Sequence, residues 1–215
     1  MVKVKICGIT NVEDAVFAAE AGADAIGLNL VEGYPRCIAW ETAREITNDL
    51  SPFLTVVGVF ADAAISEIRA AVRLCRLNAV QLHGEEPPMD CVRLAETADF
   101  PIRVIKAFRI KGPETLEQVP RYRRDANVMP LLDAYHPREI GGVGKTFEWE
   151  LVAGAEDLRP FILSGGLNPD NVARAVETLR PYAVDVSSGV EAELCKKDPE
   201  KVRAFIQNAK AAAVS

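Results

Sequence analysis

Cys7 and Asp133 are the residues whose side-chain chemistry and place in the chain together suggest proton transfer. A thiol with an ordinary pKa near ~8.5 ionises readily enough to act as a base, and a carboxyl can supply a proton from the opposite side of a ligand. Cys7 ends the run Met1-Val2-Lys3-Val4-Lys5-Ile6, whose apolar residues alternate with lysines at the two-residue period of a strand, and Gly8 stops that run. Asp133 closes a similar run, Val128 to Leu132. Each has a plainer alternative. Free cysteines often serve as small buried packing residues, and Asp133 can cap the next turn or pair with Arg138 or Lys145.

Two late strand ends add a different chemistry. Ser164-Gly165-Gly166 and Ser187-Ser188-Gly189 combine small residues with glycines that let a backbone approach an anion closely, so they suggest a phosphate cradle made of N–H groups. Gly141-Gly142-Val143-Gly144-Lys145-Thr146 is not a Walker A loop, because the glycine required six residues before the lysine is Glu139. It reads instead as a mobile loop able to fold over a ligand. Lys106, near a strand end, suggests a charged side chain at the mouth of the site more than a Schiff-base lysine.

These residues need elements to position them. Strand-like runs recur at Val2 to Ile6, Asp24 to Leu30, Phe53 to Phe60, Asn78 to Leu82, Ile102 to Phe108, Val128 to Leu132, Pro160 to Leu163 and Ala183 to Val186. Helical patterns separate them. Thr10 or Asn11 starts one near Val12, Asp62 is placed to cap another over Ala63 to Leu74, Pro120 interrupts a weak one around Glu114 to Val119, and Phe147 to Ala153 forms a short one. Eight alternations imply a parallel sheet, and eight strands close. The expected fold is α/β: a single (β/α)8 barrel of eight parallel strands covering residues 1–215 as one domain, with the site on its C-terminal face. A doubly wound open sheet would want G-x-G-x-x-G after the first strand, and Cys7-Gly8-Ile9-Thr10-Asn11 is not that motif. Collecting the strand ends gives Cys7, Asn29, Phe60, Gln81, His83, Lys106, Asp133, Ser164 to Gly166 and Asp185 to Gly189.

Composition excludes several classes. A net charge of −6 with no concentrated basic face argues against a nucleic-acid partner. No apolar run is long enough for a membrane span and the chain enters a strand at once, so a cytoplasmic protein is expected. Five scattered cysteines without a C-x-x-C pair, and two histidines, favour neither disulfides nor a metal site.

Taken in order, Lys5-Ile6-Cys7-Gly8-Ile9-Thr10, Gln81-Leu82-His83-Gly84, Leu132-Asp133, Gly141 to Trp149, Ser164-Gly165-Gly166-Leu167 and Val184 to Glu191 resemble the phosphoribosylanthranilate isomerases of tryptophan biosynthesis. The resemblance implies an Amadori rearrangement of a small phosphorylated substrate without cofactor or metal, with Asp133 as general acid and Cys7 as general base. It further implies that Arg36 holds the anthranilate carboxylate, that Gly165, Gly166, Ser187, Ser188 and Gly189 hold the phosphate, and that Gln81, His83 and Asp185 are pocket walls. Leu28 and Tyr34 stand where the family pattern before Arg36 is expected to carry phenylalanine and serine, which bears on the anthranilate pocket. A monomer or a homodimer fits equally. Two alternatives stand beside this: the related histidine-pathway sugar isomerase, whose base is an aspartate where this chain has Cys7, and a barrel that binds a phosphorylated metabolite without turnover, which would need neither Cys7 nor Asp133.

Overall fold

The computed structural model describes residues 1–96, 102–123, 128–134, 152–153 and 156–213. Eight parallel strands close into a barrel in sequence order: β1 (Lys3–Cys7), β2 (Ala25–Asn29), β3 (Thr55–Phe60), β4 (Ala79–Leu82), β5 (Arg103–Ile110), β6 (Val128–Ala134), β7 (Ile162–Ser164) and β8 (Ala183–Val186), with β8 pairing back onto β1. The principal helices between and after them are α1 (Val12–Glu20), α2 (Trp40–Asn48), α3 (Ile65–Leu74), α4 (Pro88–Ala95), α5 (Pro113–Leu116), α6 (Val119–Arg123), α7 (Val172–Leu179) and α8 (Pro199–Ala212). The expected (β/α)8 barrel is the fold observed.

Side chains of successive strand residues point to opposite faces, and in a closed barrel both faces are buried. The result is two cores. Inside the ring, Val57, Ala79, Ile105, Ala107, Leu131, Ile162 and Ala183 pack together. Their strand neighbours Val4, Ile6, Ile26, Leu28, Val56, Phe60, Val80, Leu82, Leu132 and Val184 face outward and meet the helices, including Phe205 and Ile206 of α8. The side chain of Asn11 accepts from the Asp14 N–H at 2.8 Å and starts α1, and Asp198 accepts from the N–H groups of Glu200 and Lys201 to start α8.

Several boundaries differ from those the sequence predicts. Asp62 does not cap α3, whose N-cap is Ala64. Its backbone is left-handed, at φ 54°, and its carboxylate accepts from the Glu85 N–H at 2.7 Å, tying the ends of β3 and β4 together. β5 runs two residues beyond Phe108, and the helical segment after it breaks at Glu117 and Gln118, with Pro120 in the first turn of α6, where a missing N–H costs nothing. The Gly141 to Thr146 loop, Arg138 and Lys145 lie outside the described residues, as does most of the Phe147 to Ala153 helix.

The outer core sets the stability of the ring. Phe205, fully buried against the barrel, is expected to cost about 3–5 kcal/mol when replaced by alanine, read as a lower urea midpoint; an unchanged midpoint would mean that α8 is not part of the cooperative core.

Candidate active site

The inward-facing residues near the C-terminal ends of the strands border one cavity of about 330 Å³. Cys7 enters it from β1, Asn29 from β2, Val59 from β3, Gln81 from β4, Arg109 from β5, Asp133 from β6, Ser164 from β7 and Asp185 from β8. Arg36, His83, Gly165, Gly166, Ser187, Ser188 and Gly189 border the same cavity from the loops. All eleven residues singled out as catalytic or substrate-binding therefore converge.

Other strand-end expectations are corrected. Phe60 belongs to the outer core, and it is Val59 and Ala61 that reach the cavity. Lys106 is also turned outward: its ammonium donates to the Gly84 carbonyl at 2.6 Å and to Glu86 at 3.0 Å, almost fully buried outside the ring. One residue of register moves a side chain across the barrel wall. Leu28 likewise packs against helices, so its departure from the family pattern does not touch the cavity wall, whereas Tyr34, half exposed, does.

The glycine-rich ends are tightly built. Gly165 and Gly166 have φ of 89° and 65°, in the left-handed region. A Cβ on Gly189 would fall 1.9 Å from the Leu167 carbonyl oxygen, so the loops after β7 and β8 touch backbone to backbone. They form a continuous rim of main chain on one side of the cavity.

Opposite chemistry sits elsewhere on the rim. Asn29 anchors the loop that carries Arg36: its amide donates to the Pro35 carbonyl at 3.1 Å and its oxygen accepts from the Val31 N–H at 3.0 Å. Arg36 then donates through Nε and Nη2 to the two oxygens of Glu191, at 2.7 and 2.6 Å. Lys197 donates to the same carboxylate at 3.1 Å and to the Ser187 carbonyl at 3.1 Å. Burial raises the Glu191 pKa, but the hydrogen bond from Arg36 and the charge of Lys197 outweigh it and leave the carboxyl below its usual range.

On the acid side, Nε2 of His83 lies 3.3 Å from Asp133 Oδ2, and Nδ1 of His83 lies 3.1 Å from the amide nitrogen of Gln81. Among the described residues the side-chain oxygen of Gln81 is buried without a hydrogen-bond partner. On the base side, burial pushes the Cys7 thiol up; Lys5 pulls it down and Asp185 adds to the rise. The thiol thus stands above its ordinary range, the cost of desolvating a thiolate.

Arg109, Glu191, Lys197 and Lys5 do not stand out in the sequence. Arg109 continues the inward alternation of Ile105 and Ala107, a signal lost by ending β5 at Phe108.

The molecule is thus a (β/α)8 barrel whose C-terminal mouth holds a thiol, a carboxyl and a glycine-rich rim in one cavity, the face on which barrels of this class carry their chemistry. Residues 4–208 match the family model of N-(5'-phosphoribosyl)anthranilate (PRA) isomerase, and the chain belongs to that family. An N-(5'-phosphoribosyl)anthranilate isomerase of Geobacter sp. (strain M21) is 50% identical over 210 residues, 98% of each chain. The crystal structure of phosphoribosyl anthranilate isomerase from Thermotoga maritima is 47% identical and superposes with a TM-score of 0.90 over 98% of this chain and 100% of that one. Another phosphoribosyl anthranilate isomerase structure, 44% identical with a TM-score of 0.87 over 98% of this chain and 100% of that one, is in complex with reduced 1-(o-carboxyphenylamino)-1-deoxyribulose 5-phosphate.

The depressed Glu191 carboxyl has a consequence for stability. A folded pKa below the unfolded one contributes stability that is complete above the ordinary glutamate range and is lost as pH falls through the folded value. Glu191→Gln is therefore expected to be less stable than the parent at pH 7, with the gap in urea midpoint closing as pH drops below about 4. A gap equally wide at pH 3 and pH 7 would assign the loss to packing and not to charge.

Proposed function

We propose that this protein isomerises N-(5'-phosphoribosyl)anthranilate to 1-(o-carboxyphenylamino)-1-deoxyribulose 5-phosphate, with Asp133 as general acid and Cys7 as general base. The family supports the reaction, and the observation that carries the roles is that the carboxyl and the thiol border one cavity with the glycine-rich rim and Arg36. In this reading the phosphate lies against Gly165, Gly166, Ser187, Ser188 and Gly189, and the anthranilate carboxylate meets the outer edge of Arg36. Glu191 already occupies the Nε side of that guanidinium and fixes its plane.

Protonated Asp133 gives its proton to the ribose ring oxygen, the C1–O bond breaks, and the nitrogen lone pair forms an open-chain iminium. The thiolate of Cys7 then takes the C2 proton, and the electrons of that bond neutralise the iminium as an enolamine, which tautomerises to the ketone. A half-buried sulfur that holds its proton more tightly than usual is a stronger base once ionised. The cation formed in the first step lies beside that sulfur and favours its anion, so acid catalysis prepares base catalysis.

We further propose that residues 1–215 act as one barrel domain in the cytoplasm, as a monomer or homodimer, on a small phosphorylated substrate and without nucleic-acid or membrane partners. No described helix is long and apolar enough to cross a membrane.

Cys7→Ser and Asp133→Asn are each expected to lower kcat at least ~100-fold, measured by fluorescence with freshly generated phosphoribosylanthranilate, while a product analogue still binds. Full turnover in either variant rejects that residue's role. Arg36→Ala is expected to raise KM strongly, and an unchanged KM would move the carboxylate contact elsewhere.

A further inference from the structure

Beneath Cys7, inside the ring, lies a charged group that takes no part in the proton transfers above. Lys5 precedes Cys7 by two residues on β1 and so shares its inward face. Its side chain is only 4% exposed, and its ammonium donates to Asp185 Oδ1 on β8 at 2.7 Å. The other oxygen of Asp185 accepts from the Ser164 hydroxyl of β7 at 3.1 Å. Gly27, opposite on β2, makes room for the arrangement: a Cβ there would lie 2.6 Å from Cys7 Sγ and 3.1 Å from Lys5 Nζ. Sulfur and ammonium therefore crowd into the one gap that Gly27 leaves open. An ion pair sealed inside a barrel is expensive unless it does something a hydrophobic pair cannot.

We propose that Lys5 is the positioning residue that steadies the Cys7 sulfur as an anion, with Asp185 and Ser164 holding its ammonium in place and protonated. The inference rests on Cys7 serving as the base. The charged groups facing that sulfur are Lys5 from β1, Asp185 from β8, Lys197 from the segment after β8 and Arg36 from the loop after β2. Arg36 and Lys197 both spend their charge on Glu191. Lys5 is the cation built against the sulfur itself. Burial works against its charge, yet Asp185 and Cys7 together leave the ammonium held more firmly than an ordinary lysine.

The test is the pH dependence of iodoacetamide alkylation at Cys7, read on the Cys7 peptide by mass so that the other four cysteines do not interfere. Lys5→Met is expected to slow alkylation at pH 8 by about tenfold or more, the change in thiolate that one unit of pKa produces. Asp185→Asn is expected to move the midpoint the other way, because it removes a negative charge and leaves Lys5. Lys5→Met leaves Asp185 unpaired and risks misfolding, so the deciding variant is Lys5→Met/Asp185→Asn, which replaces the pair with a neutral one. Slowed alkylation in that double variant, with the rising limb of kcat against pH displaced in the same direction, supports the proposal. A wild-type alkylation midpoint there would mean that Lys5 only neutralises Asp185, and overturns it. Full turnover by Cys7→Ser would instead sink the role of Cys7 as base while leaving the alkylation result to stand, so the two failures are distinguishable.

Discussion

Closing eight parallel strands into a ring leaves no free edge, and no strand can slip by one residue without turning its inward set outward. That constraint decides which side chains meet the ligand. Cys7, Gln81, Asp133, Ser164 and Asp185 come from five strands with no short-range relation in sequence, yet the closed register brings them to one cavity. The same register removes Phe60 and Lys106 to the helix layer. Loops then add what strands cannot reach: a cation from after β2 and main-chain rims from after β7 and β8.

A barrel interior is a costly place for charge, and this one holds Lys5, Asp185 and the sulfur of Cys7 within a few residues of the apolar plug formed by Val57, Ala79, Leu131 and Ala183. The arrangement is tolerable because each charged group has a fixed partner: Lys5 has Asp185, and Asp185 has Ser164. Gly27 contributes by absence, since any side chain there would strike both sulfur and ammonium.

The element order was legible because a two-residue apolar period separates cleanly from a helical one, and β8 falls on the residues expected for it, Ala183–Val186. Orientation was harder. In an open sheet the polar half of an alternating strand faces water, so Lys3 and Lys5 look alike in the sequence; in the ring Lys3 stays exposed at the rim and Lys5 is sealed inside. Periodicity says that two faces differ but not which is the lumen, and for that reason it places Phe60 and Lys106 at the mouth, where the structure does not have them. Glu191 and Lys197 were out of reach for another reason: they act through Arg36, 155 positions away from Glu191, and no local spacing announces such a partner.

The electrostatics of the mouth follow from this layout. The chain carries a net charge of −6, so an anionic ligand is not drawn by the protein as a whole. Attraction has to be local, and the cavity wall supplies it with Arg36 and Arg109, with Lys197 set behind Arg36. Glu191 neutralises part of that positive cluster. It occupies one edge of the Arg36 fork and one donor of Lys197, which fixes the direction of the guanidinium. On the proposed reading, a carboxylate is selected there by geometry as well as charge, and the phosphate is left to the glycine-rich rim, where main-chain N–H groups suit an anion. On that reading, separating the two anionic ends of the substrate in this way leaves its ribose beside Asp133 and Cys7, which border the same cavity.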